Sequence, residues 1–186
     1  MDTLENKKIA VLVTDGFEEV EMTKPIEALE KEGAQVSIVA PEQKVKAWNH
    51  TNWGKEYEAA VMLKDADPEA FDALVLPGGV MNPDKLRVNT LAVNFVRHFT
   101  QHGKPIASLC HGPWTLIETD YVKGKKVTSW PSLKTDLINA GAEWIDAAVV
   151  QDGVLVTSRK PDDIPKFNEA MIALFASMPE SVKANE

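Results

Sequence analysis

Two hydrophobic periods alternate along the chain. Residues 8–13 (KIAVLV) are a continuous apolar run, the pattern of a strand buried on both faces. Met22, Ile26 and Leu29 follow at helical spacing and stop at Gly33. Residues 35–40 (QVSIVA) predict a second strand ended by Pro41, and residues 72–76 (DALVL) a third, closed by Pro77, Gly78 and Gly79. Leu91, Phe95 and Phe99 mark one face of a helix that ends at Gly103. Residues 105–109 (PIASL) predict a further buried strand, which runs straight into Cys110 and a short helix over residues 113–119. Residues 126–129 (KVTS) and 154–157 (VLVT) read as strands, and residues 132–140 as a helix closed by Gly141. Ile164, Phe167, Met171, Leu174 and Met178 share one face of the last helix. Residues 45–63 break this rhythm and predict short antiparallel strands or a hairpin bordering the sheet.

Strands alternating with helices predict an α/β sandwich of three layers, with a mostly parallel central sheet and helices on both faces. No repeat, low-complexity tract or linker interrupts residues 1–186, so one domain is expected. Ligands of such sheets bind beyond the carboxyl ends of the strands. Three of the predicted strand ends carry unusual residues: 14–19 (TDGFEE), 77–79 (PGG) and 110–113 (CHGP). The topology expected of the fold gathers all three on one rim.

Charge and cysteine content narrow the possibilities. A formal net charge of −8, with no basic stripe, argues against phosphate-backbone binding as the main task. The apolar run near the N-terminus is strand-length, with neither a signal-peptide pattern nor the ~20 residues of a membrane span. The one cysteine cannot form an internal disulfide, which fits a reducing compartment, and the cytoplasm is the expected location.

That cysteine, Cys110, lies between a buried strand and a predicted helix. A strand-to-helix turn pushes a nucleophile outward, and a helix N-terminus lowers a thiol pKa. His111 is a candidate general base or acid beside the sulfur. Gly78 and Gly79 serve either a plain tight turn or an oxyanion hole, whose donors would be the N–H groups of Gly79 and His111. Asp15, Glu18, Glu19 and Glu21 crowd the first strand's end. One carboxyl aimed at Cys110 would have a raised pKa and hydrogen-bond the sulfur, but residue chemistry alone does not choose among the four. Trp114 follows the turn and is a candidate pocket wall, whereas Trp48 and Trp53 read as packing residues. His50, His98, His102 and His111 lack ligand spacing, so no metal and no cofactor is expected.

Seven segments together resemble the PfpI-type branch of the ThiJ/PfpI superfamily: residues 15–21 (DGFEEVE), 46–54 (KAWNHTNWG), 73–79 (ALVLPGG), 108–113 (SLCHGP), 128–132 (TSWPS), 139–144 (NAGAEW) and 157–161 (TSRKP). The resemblance spans about residues 7–178. It implies a flavodoxin-like sandwich of the class I glutamine amidotransferase type. It also implies that Cys110 is the nucleophile, that His111 is its neighbouring histidine and that Glu18 is the carboxyl at the sulfur. Gly79 and His111 match the oxyanion donors. Asp84 matches a further acid, Glu in archaeal proteases, which a neighbouring subunit supplies to orient the histidine. A dimer or higher oligomer with the site near its interface is therefore expected.

The resemblance implies a cysteine hydrolase or lyase of the stress response. It would act on methylglyoxal or early glycation adducts, whether small carbonyls or glycated proteins and peptides. An intracellular cysteine peptidase is the alternative within the same chemistry. A redox-sensing protective protein with an oxidisable Cys110 is the alternative outside it. A site confined at a sheet rim favours small substrates over folded proteins.

Overall fold

In the computed structural model, residues 3–178 are described. The chain runs β1 (Lys8–Leu12), α1 (Glu19–Lys31), β2 (Gln35–Ala40), the hairpin β3 (Lys44–Asn49) and β4 (Asn52–Glu58), then β5 (Val61–Met62) and β6 (Ala73–Leu76). It continues through α2 (Met81–Arg87), α3 (Thr90–Gln101), β7 (Ile106–Leu109), α4 (Pro113–Ile117), β8 (Lys126–Val127), α5 (Lys134–Asn139) and β9 (Glu143–Trp144). It closes with β10 (Val149–Asp152), β11 (Leu155–Ser158) and α6 (Ile164–Ser177). Among the described residues, seven strands form the central sheet in the order β10-β11-β7-β6-β1-β2-β5, parallel throughout except for β10.

Alternation along each strand sorts the core into two layers. Ile9 and Val11 face α1 and α6, packing with Met22, Leu29, Phe167 and Met171. Ala10 and Leu12 face the opposite way, toward Phe95 and Phe99 of α3, Leu116 of α4 and Leu137 of α5. Fully burying a side chain the size of Phe99 or Phe167 contributes roughly 1.5–3 kcal/mol. Both faces of β1, β6 and β7 are covered, which explains their uninterrupted apolar runs. Among the described residues, no helix is long and apolar enough to cross a membrane.

Three features depart from the sequence pattern. Residues 126–129 do not join the central sheet. Only β8 is extended, and it pairs in parallel with β9 in a separate two-stranded sheet. The Thr128 N–H instead donates to Thr157 Oγ1 at 2.9 Å, tying this segment beneath the rim. The antiparallel edge strand β10 is half-buried, so it lacks the apolar run that marks its neighbours. The hairpin β3–β4 forms its own sheet, and it meets the rest through an isolated bridge between Glu18 and Trp48. It leans over the carboxyl rim rather than extending the sheet edge.

The strand order reverses between β1 and β6, a switch point at which a crevice opens. Asn82, fully buried on α2, holds its two sides together. Its Oδ1 accepts from Thr14 N–H at 2.8 Å, and its Nδ2 donates to the Pro77 and Gly78 carbonyls at 3.0 and 3.1 Å. One short helix, unmarked by any apolar stripe, thus fixes the loops after β1 and β6 against each other.

Candidate active site

The three loops after β1, β6 and β7 meet at this crevice. They line a cavity of about 470 Å³ with Glu18, Glu21, Gly79, Cys110 and His111 among its walls. Cys110 adopts φ +63°, the left-handed region that costs a non-glycine residue strain. Three backbone bonds pin this turn. Cys110 N–H donates to Ser158 O at 3.1 Å, Trp130 N–H donates to Cys110 O at 2.9 Å, and Gly112 N–H donates to Leu109 O at 2.9 Å. The side chain is 6% exposed, and that small opening faces the cavity.

The carboxyl at the sulfur is Glu21, not Glu18. Helix α1 begins at Glu19 and turns Glu21 onto its buried face with Met22, Pro25 and Leu29. Glu21 Oε2 accepts the Gly78 N–H at 2.9 Å, and its carboxyl shares a hydrogen bond with the Cys110 thiol. Glu18 sits one residue before the helix and turns toward the hairpin, where its Oε1 accepts the His50 N–H at 3.2 Å. Spacing alone does not single out Glu21, because Glu18 precedes Met22, Pro25 and Leu29 at equally helical intervals; the start of α1 at Glu19 decides which carboxyl turns inward.

Burial pushes the Glu21 carboxyl up to about 8, against the hydrogen bonds from Cys110 and Gly78, and the Glu18 charge adds to the rise. Burial likewise pushes the Cys110 thiol up, followed by the nearby Glu21 charge, while the Gly79 and His111 N–H groups pull it down. The thiol is therefore not held low by a helix end. Helix α4 spans only Pro113–Ile117, and desolvation outweighs it. Sulfur and carboxyl cannot both ionise in this setting. A protonated Glu21 is the form that lets the sulfur ionise, since its hydroxyl then donates to the thiolate beside the two N–H groups.

His111 Nδ1 lies 3.2 Å from Cys110 Sγ, and Nε2 lies 3.4 Å from Ser132 Oγ. Burial pushes the imidazole down to about 4, so it is neutral at physiological pH. With Nε2 carrying its proton toward Ser132, Nδ1 is left to accept from the thiol. The ring stacks against Trp130, at 6.0 Å between centroids and 22° between planes, and meets Trp114 edge-on. Trp130 and Trp48 line the cavity, whereas Trp114 stands behind the histidine with its indole N–H bound to Asp136. The loop bearing Trp130 and Ser132 was not singled out by spacing, because it enters the site from β8, outside the central sheet.

The two amide donors expected of an oxyanion site, Gly79 and His111, both point at the sulfur. Gly79 holds φ +77°, and a Cβ there would approach the Gly16 carbonyl at 2.5 Å and Glu18 N at 2.6 Å. Both are backbone atoms and cannot yield. Gly79→Ala is expected to lower stability by roughly 2–4 kcal/mol in urea denaturation, beyond the usual cost of a positive φ. Its folded fraction should lose on the order of a hundredfold in kcat as the donor shifts.

Asp84 lies on α2, exposed, and makes no hydrogen bond or ion pair with His111 of its own chain. Among the described residues, no group of three or more His, Cys, Asp or Glu side chains could hold a metal ion.

The DJ-1/PfpI family profile matches residues 7–174. The chain is 43% identical over 169 residues to YraA of Bacillus subtilis, a candidate cysteine protease, covering 91% of this chain and 98% of that protein. It is 42% identical over 177 residues to protein/nucleic acid deglycase 2 of Escherichia coli, covering 92% and 99% respectively. Among solved structures, Drosophila melanogaster DJ-1beta superposes with a TM-score of 0.83 at 27% identity, over 92% of this chain and 91% of that one.

Proposed function

Because the chain belongs to the DJ-1/PfpI family, we propose that it is a cysteine-dependent deglycase that releases early methylglyoxal adducts from amines in the cytoplasm. The observation that carries this reading is the pairing of a confined cavity of about 470 Å³ with one thiol, a proton-bearing carboxyl and a neutral imidazole at its floor. A cavity of that size suits a side-chain adduct and excludes a folded polypeptide.

The chemistry follows from the positions of the protons. His111 Nδ1 takes the thiol proton as Sγ bonds to the hemiaminal carbon of the adduct. The C–N bond breaks, and the departing amine takes the proton of Glu21. The hemithioacetal left on sulfur then isomerises. Glu21, now a carboxylate, takes the proton of the sulfur-bearing carbon and returns it to the adjacent carbonyl carbon while the hydroxyl proton moves to the carbonyl oxygen, yielding a 2-hydroxyacyl thioester. Water cleaves the C–S bond, a 2-hydroxy acid departs, and the thiol and carboxyl regain their protons. An oxygen on the attacked carbon lies two bonds from sulfur, close to the Gly79 and His111 N–H groups that face it. Asp84, exposed on α2, is assigned to the His111 of a second copy, in a dimer or higher oligomer with the site near its interface.

Peptide hydrolysis is the second reading, favoured by the likeness to YraA. The methylglyoxal adduct of Nα-acetylarginine, freed of unbound methylglyoxal, separates the two when incubated beside casein. Recovery of lactate and free amine with casein intact is expected. Casein fragments without adduct turnover would overturn the proposal in favour of the peptidase.

A further inference from the structure

The cavity has a charge that the reaction at its floor does not use. Among the described residues lining it there is no lysine or arginine, yet Glu18 places a second carboxylate in its wall. The Glu18 side chain is 13% exposed. Its Oε1 accepts the His50 N–H at 3.2 Å and lies 3.7 Å from His50 Nδ1, on a side chain that is 70% exposed. Among the described residues, Oε2 receives no hydrogen bond and no lysine or arginine pairs with the carboxylate. Leaving a mostly covered carboxylate with one neutral donor and a solvated imidazole is costly unless a ligand completes it. Its field extends across the cavity, since it also helps Glu21 keep its proton.

The walls around Glu18 have a matching character. Trp48 and Trp130 line the cavity with Glu18, and aromatic rings attract cations. A carboxylate that shares a cavity wall with indoles can receive a planar positive group such as guanidinium.

We infer that Glu18 is a specificity residue that selects adducts carried on cationic groups, foremost the guanidinium of protein arginine, over neutral thiol adducts and anionic nucleotide adducts. The inference rests on the deglycase reading and names its substrate class. The open carbinol adduct of arginine keeps its positive charge and meets Glu18 as the opposite charge. A nucleotide adduct would bring phosphate toward the same carboxylate and toward a chain of net charge −8. Discrimination therefore comes from repulsion as well as attraction.

Binding and turnover test it separately. Nα-acetylarginine amide and its neutral isostere Nα-acetylcitrulline amide should both protect Cys110 from iodoacetamide. The arginine compound should do so at roughly tenfold lower concentration, one tenfold step being about 1.4 kcal/mol. Glu18→Gln keeps an oxygen for the His50 N–H and so preserves the hairpin contact, and an unchanged melting temperature checks this. In that variant the arginine-to-citrulline ratio should fall to near one. In turnover, the kcat/KM ratio of the acetylarginine adduct to the acetylcysteine adduct should fall about tenfold, mainly through KM, while the ratio of the dGMP adduct to the acetylcysteine adduct should rise. Equal protection by both amides, or an equal shift on all three adducts, would overturn the inference. Selective protection by arginine with no turnover of any adduct would instead sink the deglycase reading and leave the cation site standing.

Discussion

Cys110→Ser is expected to lower release of the methylglyoxal adduct by at least about a thousandfold while leaving the melting temperature within a few degrees of the parent. Serine occupies nearly the same volume and keeps the backbone bonds that pin the turn, from Cys110 N–H to Ser158 O and from Trp130 N–H to Cys110 O. The hydroxyl ionises far less readily than a thiol, and His111, pushed down to about 4, is too weak a base to compensate. Lactate release from the purified adduct, followed beside thermal unfolding of both proteins, checks this. Comparable rates in both would remove Cys110 from the chemistry.

Glu21→Gln should separate binding of the thiolate from proton delivery. Glutamine can still accept the Gly78 N–H with its oxygen and can donate an N–H to the sulfur, so the geometry at Cys110 survives. It cannot give up a proton to a leaving amine. Turnover should fall by roughly 10²–10⁴-fold while the iodoacetamide rate of Cys110 changes by much less. The same variant should change how stability depends on pH. The folded carboxyl titrates at about 8 against 4.5 when unfolded. Between these values the unfolded chain has already lost the proton that the folded chain retains. The stabilising contribution is thus complete below about 4.5 and is lost as pH rises to about 8. Denaturation in urea at pH 5 and pH 8 should show a decline on the order of a few kcal/mol in the parent that Glu21→Gln lacks. An equal decline in both would place the titration on another group.

Most of the scaffold was legible in the chain. The runs at residues 8–13, 72–76 and 105–109 became β1, β6 and β7, whose apolar character reflects helices covering both faces, and residues 35–40 became β2, which is only partly buried. The stripes through Leu29, Phe99 and Phe167 became the buried faces of α1, α3 and α6. Elements without a continuous apolar signature were harder to read. Helix α2 is short and polar, and its role depends on Asn82 hydrogen bonds to loops distant in sequence. The segment at residues 126–129 has strand-like residues but pairs outside the central sheet, since the register of β8 is set by β9.

Within the site, Cys110 could be identified from sequence because a buried strand leading into a turn has few uses for an isolated cysteine other than chemistry or packing. The amide donors Gly79 and His111 could be placed on the same rim by the strand order. The acid at the sulfur could not be chosen by motif position alone. Glu18 and Glu21 are three residues apart, and the hairpin draws one outward while the helix turns the other beneath the sulfur. Trp130 and Ser132 reach His111 from a loop 20 residues further along the chain, a contact that no local pattern encodes.

The sequence by itself determined the layered sheet, the three loops on one rim and the thiol at their centre, because those follow from periodicities of two and 3.6 residues and from where strands end. Only the tertiary structure decided which carboxyl lies against Cys110 and which one is left in the cavity wall. Burial and hydrogen bonding set those positions, and both depend on neighbours brought from β6, β7 and the hairpin rather than on the order of residues along α1.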